Sequence, residues 1–89
     1  MTTKFTPAVD DERVDVELDA RGLLCPLPVY RASLALTQLS PGQVLRLFTT
    51  DPGSLEDIPA LARQTGDILL AAERREDDQV FWIEKASRS

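Results

Sequence analysis

The sequence contains no histidine and only one cysteine, and these two shortages exclude most catalytic centres built from protein side chains alone. One cysteine cannot form an internal disulfide. Without histidine the chain also lacks a Cys/His or Ser/His catalytic pair and the usual ligands of a zinc centre. We therefore expect neither a bound metal nor a cofactor.

Long apolar runs are also missing. No stretch approaches the roughly 18 apolar residues that a membrane-spanning helix needs. The residues that follow Met1 do not form the apolar core of a secretory signal. These two observations predict a cytoplasmic protein with no membrane partner.

Positive charge is scarce. Ten Lys and Arg residues stand against fifteen Asp and Glu residues, which gives a formal net charge of −5. Proteins that bind nucleic acids obtain most of their affinity from clustered Lys and Arg on phosphates, so direct RNA or DNA binding is disfavoured. With 89 residues, 43% of them hydrophobic and 28% charged, the chain has the composition of one small folded domain.

The pattern of apolar residues predicts the order β-α-β-α-β-β. Residues 1–12 show no periodicity and are predicted to be a flexible tail, whereas 13–86 form the domain. Strands are expected at 13–19, 43–50, 67–75 and 79–85, because these segments alternate or are rich in β-branched and bulky apolar residues. Helices should follow Cys25, to about Leu39, and occupy the segment before Gly66, where either Asp57 is the N-cap or the helix bends at Pro59.

This order predicts an α/β (α+β) two-layer sandwich. A helical crossover favours a parallel pair of strands and a terminal hairpin is antiparallel, so the four-stranded sheet should be mixed. Two short helices can cover only one of its faces. We expect the other face to carry polar residues such as Asp15 and Glu17 into solvent, and either Phe81 or Trp82 to be the less buried of the two.

The first predicted helix has two apolar faces. Its core face is a stripe at helical spacing, made of Val29, Ala32, Leu36 and Leu39. Leu27, Tyr30 and Leu34 lie on roughly the opposite side, near Arg31. This second face either binds a partner protein or packs against the other helix.

Cys25 lies where the first strand gives way to this helix. If Cys25 is the N-cap, Pro26 is N1 and Pro28 is N3, positions that tolerate proline because their N–H groups have no partner within the helix. The helix N-terminus would then stabilise a thiolate, but only moderately, because the two prolines remove two of the N–H donors. The other possibility is that Cys25 is a small buried hydrophobic residue, as lone cysteines often are.

Charged residues near Cys25 have less specific interpretations. Arg21 could add positive potential at the sulfur, or could be merely solvated. Asp19 and Asp57 are interpreted as turn or cap residues.

The run LDARGLLCPLP at 18–28 resembles the CPxP signature of the TusA/SirA-like sulfur-carrier family. DPGS at 51–54 and DIPA at 57–60 resemble the start of that family's second helix. The resemblance covers about residues 14 to 85. It implies that Cys25 accepts sulfane sulfur as a persulfide, that Pro26 and Pro28 shape its helix, and that Gly22 permits the tight turn into it.

The resemblance also implies partners, namely a sulfur donor of the cysteine desulfurase or rhodanese type and an acceptor sulfurtransferase. The basic cluster that many members carry in the first helix is reduced here to Arg31. A single nucleophile without an acid/base partner suits a carrier better than a self-sufficient enzyme. The oligomeric state is left open, with a monomer expected. The competing hypothesis is a regulatory or protein-interaction module in which Cys25 is structural or redox-sensing.

Overall fold

Four strands and two helices alternate along the chain in the predicted order. A computed structural model describes residues 13–87, so the predicted tail at 1–12 lies outside the described residues. The elements are β1 (Val16–Ala20), α1 (Leu27–Thr37), β2 (Val44–Thr49), α2 (Ser54–Thr65), β3 (Ile68–Arg74) and β4 (Gln79–Glu84). Between residues 13 and 87, no helix is long and apolar enough to cross a membrane.

The sheet has the strand order β1-β2-β4-β3 and is mixed, as predicted. β1 and β2 are parallel because α1 carries the chain back between them, and β4 is antiparallel to both of its neighbours. The parallel pair brings the loops that follow β1 and β2 to the same edge of the sheet. This edge holds Cys25.

Both helices cover one face of the sheet and close the main core. The core stripe predicted for α1 is confirmed, since Ala32, Leu36 and Leu39 are buried and Val29 packs against them. They meet side chains from β2, β4 and α2 whose exposure is near zero, namely Leu45, Leu47, Ile58, Phe81 and Ile83. This core anchors α1 and leaves its opposite side free.

The other face of the sheet is less polar than predicted. Asp15 and Glu17 are exposed there, but Val44, Val80 and Trp82 form a second buried cluster against Phe48. Trp82, at 8% exposure, is the less buried of the pair, as predicted, although both it and Phe81 are buried. The cause is the continuous apolar run of β4, which offers large side chains to both faces.

α1 begins one residue later than predicted, and of the two alternatives for α2 the structure has the one that places Pro59 inside the helix. α1 starts at Leu27 with Pro26 as its N-cap, so Cys25 lies before the helix and is not the N-cap. α2 starts at Ser54 and contains Pro59 in its interior, which excludes Asp57 as its N-cap. α2 ends as predicted at Gly66, whose φ of 85° is the left-handed conformation that glycine adopts without steric cost.

Candidate functional site

Cys25 is exposed in the short loop that joins β1 to α1. Gly22 takes a φ of 85° just after β1, and its N–H donates to the Thr50 hydroxyl at 2.9 Å, which ties this loop to the end of β2. The Leu27 N–H then donates to the Leu24 carbonyl at 2.8 Å, which closes a turn around Cys25. The turn and the start of α1 display the sulfur at the surface.

The backbone N–H groups near Cys25 are bonded elsewhere. The Cys25 N–H donates to Asp51 Oδ2 at 3.0 Å, and the Leu27 N–H is used in the turn. Pro26 and Pro28 have no N–H to offer. The prediction that the helix N-terminus moderately stabilises a thiolate at Cys25 is therefore wrong.

The nearest charged group to the sulfur is a carboxylate. The Cys25 thiol donates a hydrogen bond to Asp57 Oδ2, with a distance of 3.3 Å from Sγ to the oxygen. This hydrogen bond is the main cause that raises the pKa of the Cys25 thiol above its ordinary value. Partial loss of hydration and the charges of Asp57 and Asp51 add to the effect.

The loop between β2 and α2 brings these two carboxylates together. Asp51 follows β2, and Asp57 lies in the first turn of α2. A Cβ atom at Gly53 would come within 3.3 Å of Asp51 Oδ2 and 3.6 Å of Asp57 Oδ2. A side chain at Gly53 would therefore crowd the Asp51 carboxylate, which accepts the Cys25 N–H.

Arg21 is directed away from the sulfur. Its guanidinium pairs with Asp19 at 2.8 Å and with Asp78 at 3.3 Å, and it lies over the Phe48 ring with its Cζ 5.0 Å from the centroid. The hydrogen bond from Arg21 lowers the pKa of Asp19 to about 2. Arg21 and Asp19 together fasten the base of the β1–α1 loop.

An apolar surface continues from the cysteine along α1. Leu27, Tyr30 and Leu34 are 45%, 56% and 47% exposed, so about half of each residue remains open to solvent. Leu24, which directly precedes the cysteine in the β1–α1 loop, is a further apolar residue at the surface and is 70% exposed. We call these four residues the α1 patch; Arg31 beside it is also exposed.

Of the predicted site residues, Pro26 and Leu27 adjoin the thiol, whereas Pro28 is buried under the start of α1. Asp51 and Asp57 contact Cys25, although neither was predicted to. The sequence does contain an indication of this contact. Cys25 follows β1 and the two aspartates follow β2, and the segments that follow two neighbouring parallel strands meet at the same edge of the sheet. In the part of the chain from 13 to 87, no three His, Cys, Asp or Glu side chains are grouped to hold a metal ion.

The family model for the sulfurtransferase TusA matches residues 16–85. The chain belongs to the TusA family. It is 47% identical over 72 residues to the sulfur carrier protein TusA of Allochromatium vinosum, covering 81% of this chain and 95% of that protein. It is 37% identical over 79 residues to the sulfur carrier protein TusA of Pseudomonas syringae pathovar syringae, covering 89% and 94%.

A solved structure agrees with this family and with the fold. The crystal structure of a SirA-like protein from Desulfitobacterium hafniense matches with a TM-score of 0.72 and 25% sequence identity, covering 82% of this chain and all of that one. The resemblance inferred from CPxP and the two-layer fold are both confirmed. In this TusA-family chain the fold places the CPxP cysteine in an exposed loop, beside two carboxylates.

Proposed function

We propose that this protein carries sulfur as a persulfide on Cys25 and passes it to an acceptor protein. The observation that carries the proposal is a single exposed thiol, in the CPxP loop of a TusA-family fold, bordered by an exposed apolar surface. A carrier needs a sulfur that another protein can reach. It does not need a complete set of catalytic groups of its own.

The loading step requires only an exchange of bonds. The Cys25 sulfur forms a bond to the terminal sulfur of a persulfide on the donor protein, while the sulfur–sulfur bond of the donor breaks. The donor's cysteine leaves as a thiolate and takes up a proton equivalent to the one that Cys25 lost. No external oxidant or reductant is consumed, and delivery to the acceptor repeats the exchange.

The intact mass of the protein tests this proposal. After incubation with a cysteine desulfurase and L-cysteine, or with a rhodanese and thiosulfate, the wild type should gain the mass of a sulfur atom. Cys25→Ser should not gain it. The proposal fails if the wild type stays unmodified with both donors, or if Cys25→Ser is modified equally.

We also propose that the α1 patch, with Arg31, is the surface on which the sulfur donor docks. A donor persulfide must approach within bonding distance of Cys25, and the patch borders that cysteine from Leu24 to Leu34. Apolar side chains that are half exposed gain free energy when a partner removes them from water. The donor's complementary surface should therefore be apolar around its own cysteine.

Leu34→Glu tests this docking surface. It should slow sulfur loading from a protein donor without changing the rate at which iodoacetamide alkylates Cys25. Gln64→Glu, which adds the same charge on an exposed position of α2, is the matched control and should load normally. Equal rates of sulfur loading in the two variants would exclude the α1 patch as the docking surface of the donor.

The acceptor is proposed to be a sulfurtransferase of tRNA thiolation, of cofactor biosynthesis or of sulfur oxidation. Loading the protein with radioactive sulfur and mixing it with purified acceptors from each pathway would distinguish the three. Transfer to one acceptor that is abolished by Cys25→Ser would assign the pathway. Absence of transfer to all three would exclude these pathways.

One observation favours a second candidate function. The hydrogen bond from the Cys25 thiol to Asp57 favours the protonated form, which suits a structural cysteine in an interaction module better than a nucleophile. In that case Cys25→Ser would leave partner binding intact, whereas Leu34→Glu would abolish it. The reverse pattern would exclude the module.

A further inference from the structure

We propose that Asp57 keeps the Cys25 thiol of the unloaded carrier protonated, and therefore unreactive, until a donor protein docks. Its carboxylate does so by accepting the hydrogen of that thiol. This inference rests on the proposed sulfur-carrier function. It assigns a task to a residue outside the CPxP motif, at the start of α2.

The geometry places uncompensated negative charge at the sulfur. Asp57 Oδ2 lies 3.3 Å from Sγ, and Asp51 accepts the backbone N–H of the same cysteine. Within residues 13–87, neither Asp51 nor Asp57 pairs with a Lys or Arg.

Other acidic side chains in the protein do have such partners. Ion pairs to arginine are made by Glu17, Asp19, Asp78 and Glu84. The two carboxylates at Cys25 have no such partner in the described chain, so no ion pair offsets their charge beside the sulfur.

Among the described residues, no ion pair from α1 or from the β1–α1 loop offsets this charge. The first turn of α1 contains no Lys or Arg, its prolines have no N–H to donate, and the Leu27 N–H is bonded to Leu24. Arg21, from the β1–α1 loop, is paired with Asp19 and Asp78. The groups that control Cys25 are thus Asp57 and Asp51, and both favour the thiol over the thiolate.

This protonation matters because the thiolate, and not the thiol, attacks disulfides and oxidants. An exposed cysteine with a low pKa would react with any small disulfide that it met. A protonated one reacts slowly until the proton leaves, and in the exchange with a donor persulfide that proton balances the departing thiolate of the donor. Asp57 thereby favours exchange with a docked protein over reaction with small molecules in solution.

The test is the pH dependence of alkylation in the reduced protein. Asp57→Asn keeps the shape of the side chain but removes its charge. The pH at which Cys25 reacts with iodoacetamide at half its maximal rate, the alkylation midpoint, should therefore be lower in this variant. Each pH unit of that shift raises the thiolate fraction at neutral pH about tenfold. Reaction with a small disulfide such as glutathione disulfide should also accelerate, but by less than the thiolate fraction rises, because a thiolate of lower pKa is a weaker nucleophile.

Glu56→Gln is the matched control, because it removes the same charge from the neighbouring residue of the same helical turn. Its alkylation midpoint should equal that of the wild type. A midpoint in Asp57→Asn that is unchanged, or that moves equally in Glu56→Gln, would overturn the assignment to Asp57.

A second measurement needs no variant. The alkylation midpoint of the native wild type should lie above that of the same protein unfolded in urea, and a native midpoint at or below the unfolded one would overturn the proposal. These readings do not depend on sulfur loading. A wild type that takes up no sulfur but shows both shifts would refute the carrier function alone, and one that loads sulfur without the shifts would refute the role of Asp57 alone.

Discussion

Two leucines of α1 that are two residues apart should respond very differently to truncation. Leu36 is 2% exposed and lies in the main core, whereas Leu34 is 47% exposed on the α1 patch. A buried Leu→Ala change costs about 2–5 kcal/mol of the free energy of unfolding, from lost burial and the cavity that remains. For Leu34→Ala, where only about half of the side chain is removed from water, the cost should be on the order of 1 kcal/mol or less.

These costs can be converted to melting temperatures. A domain of this size loses roughly 4–8 °C in Tm for each kcal/mol, so a 3 kcal/mol loss in Leu36→Ala corresponds to a fall of roughly 12–24 °C. Leu34→Ala should fall by less than about 8 °C on the same scale. The total free energy of unfolding expected for such a chain, roughly 4–13 kcal/mol, is large enough that Leu36→Ala should still fold at low temperature.

Circular dichroism during heating, with urea unfolding as a second measure, compares the two variants. If Leu34→Ala lost as much stability as Leu36→Ala, the α1 patch would belong to the core and could not be a docking surface. If Leu36→Ala cost nothing, the assignment of the buried face of α1 would be wrong. Sulfur loading of Leu34→Ala then measures how much of the patch a donor uses.

Three further outcomes follow from single residues. Gly66→Ala should cost about 1 kcal/mol in urea unfolding, because its φ of 85° is unfavourable for alanine although the space around it is open, and an unchanged midpoint would contradict this. Asp19 should titrate by NMR with a pKa of about 2, and Arg21→Gln should return that pKa toward 3.8. Because the folded pKa lies below 3.8, the Asp19–Arg21 pair stabilises the fold above that pH and loses this effect as the pH falls toward 2; titration near 3.8 in the wild type would refute the pairing. Trp82, the only tryptophan and 8% exposed, should emit at short wavelength and resist quenching by acrylamide, and emission typical of a solvated indole would show that the second cluster is open.

Local patterns in the sequence predicted most of the fold. The helical spacing from Val29 to Leu39 identified the buried face of α1, and Gly66 marked the end of α2. The predicted start of α1 is one residue too early, because the pattern around Pro26 does not reveal that the Leu27 N–H closes a turn on Leu24. Helix boundaries depend on such individual hydrogen bonds more than on periodicity.

The chemistry of the site was less predictable. The exposure of Cys25 followed from its position between a strand and a helix, but the direction of its pKa shift did not. That direction is set by Asp57, 32 positions further along the chain, whose contact with the thiol depends on how α2 packs beside α1. A local interpretation of Asp57 as a cap could not include a tertiary hydrogen bond.

The parallel pairing of β1 and β2 has a consequence for how such a carrier can diversify. The thiol belongs to the loop after β1, the carboxylates belong to the loop after β2 and the first turn of α2, and most of the α1 patch lies on α1. Under the two proposals, a mutation at Asp57 would change when the sulfur reacts, whereas a mutation at Tyr30 would change which protein it meets. Selection can therefore act on reactivity and on partner choice as two separate traits of one short polypeptide.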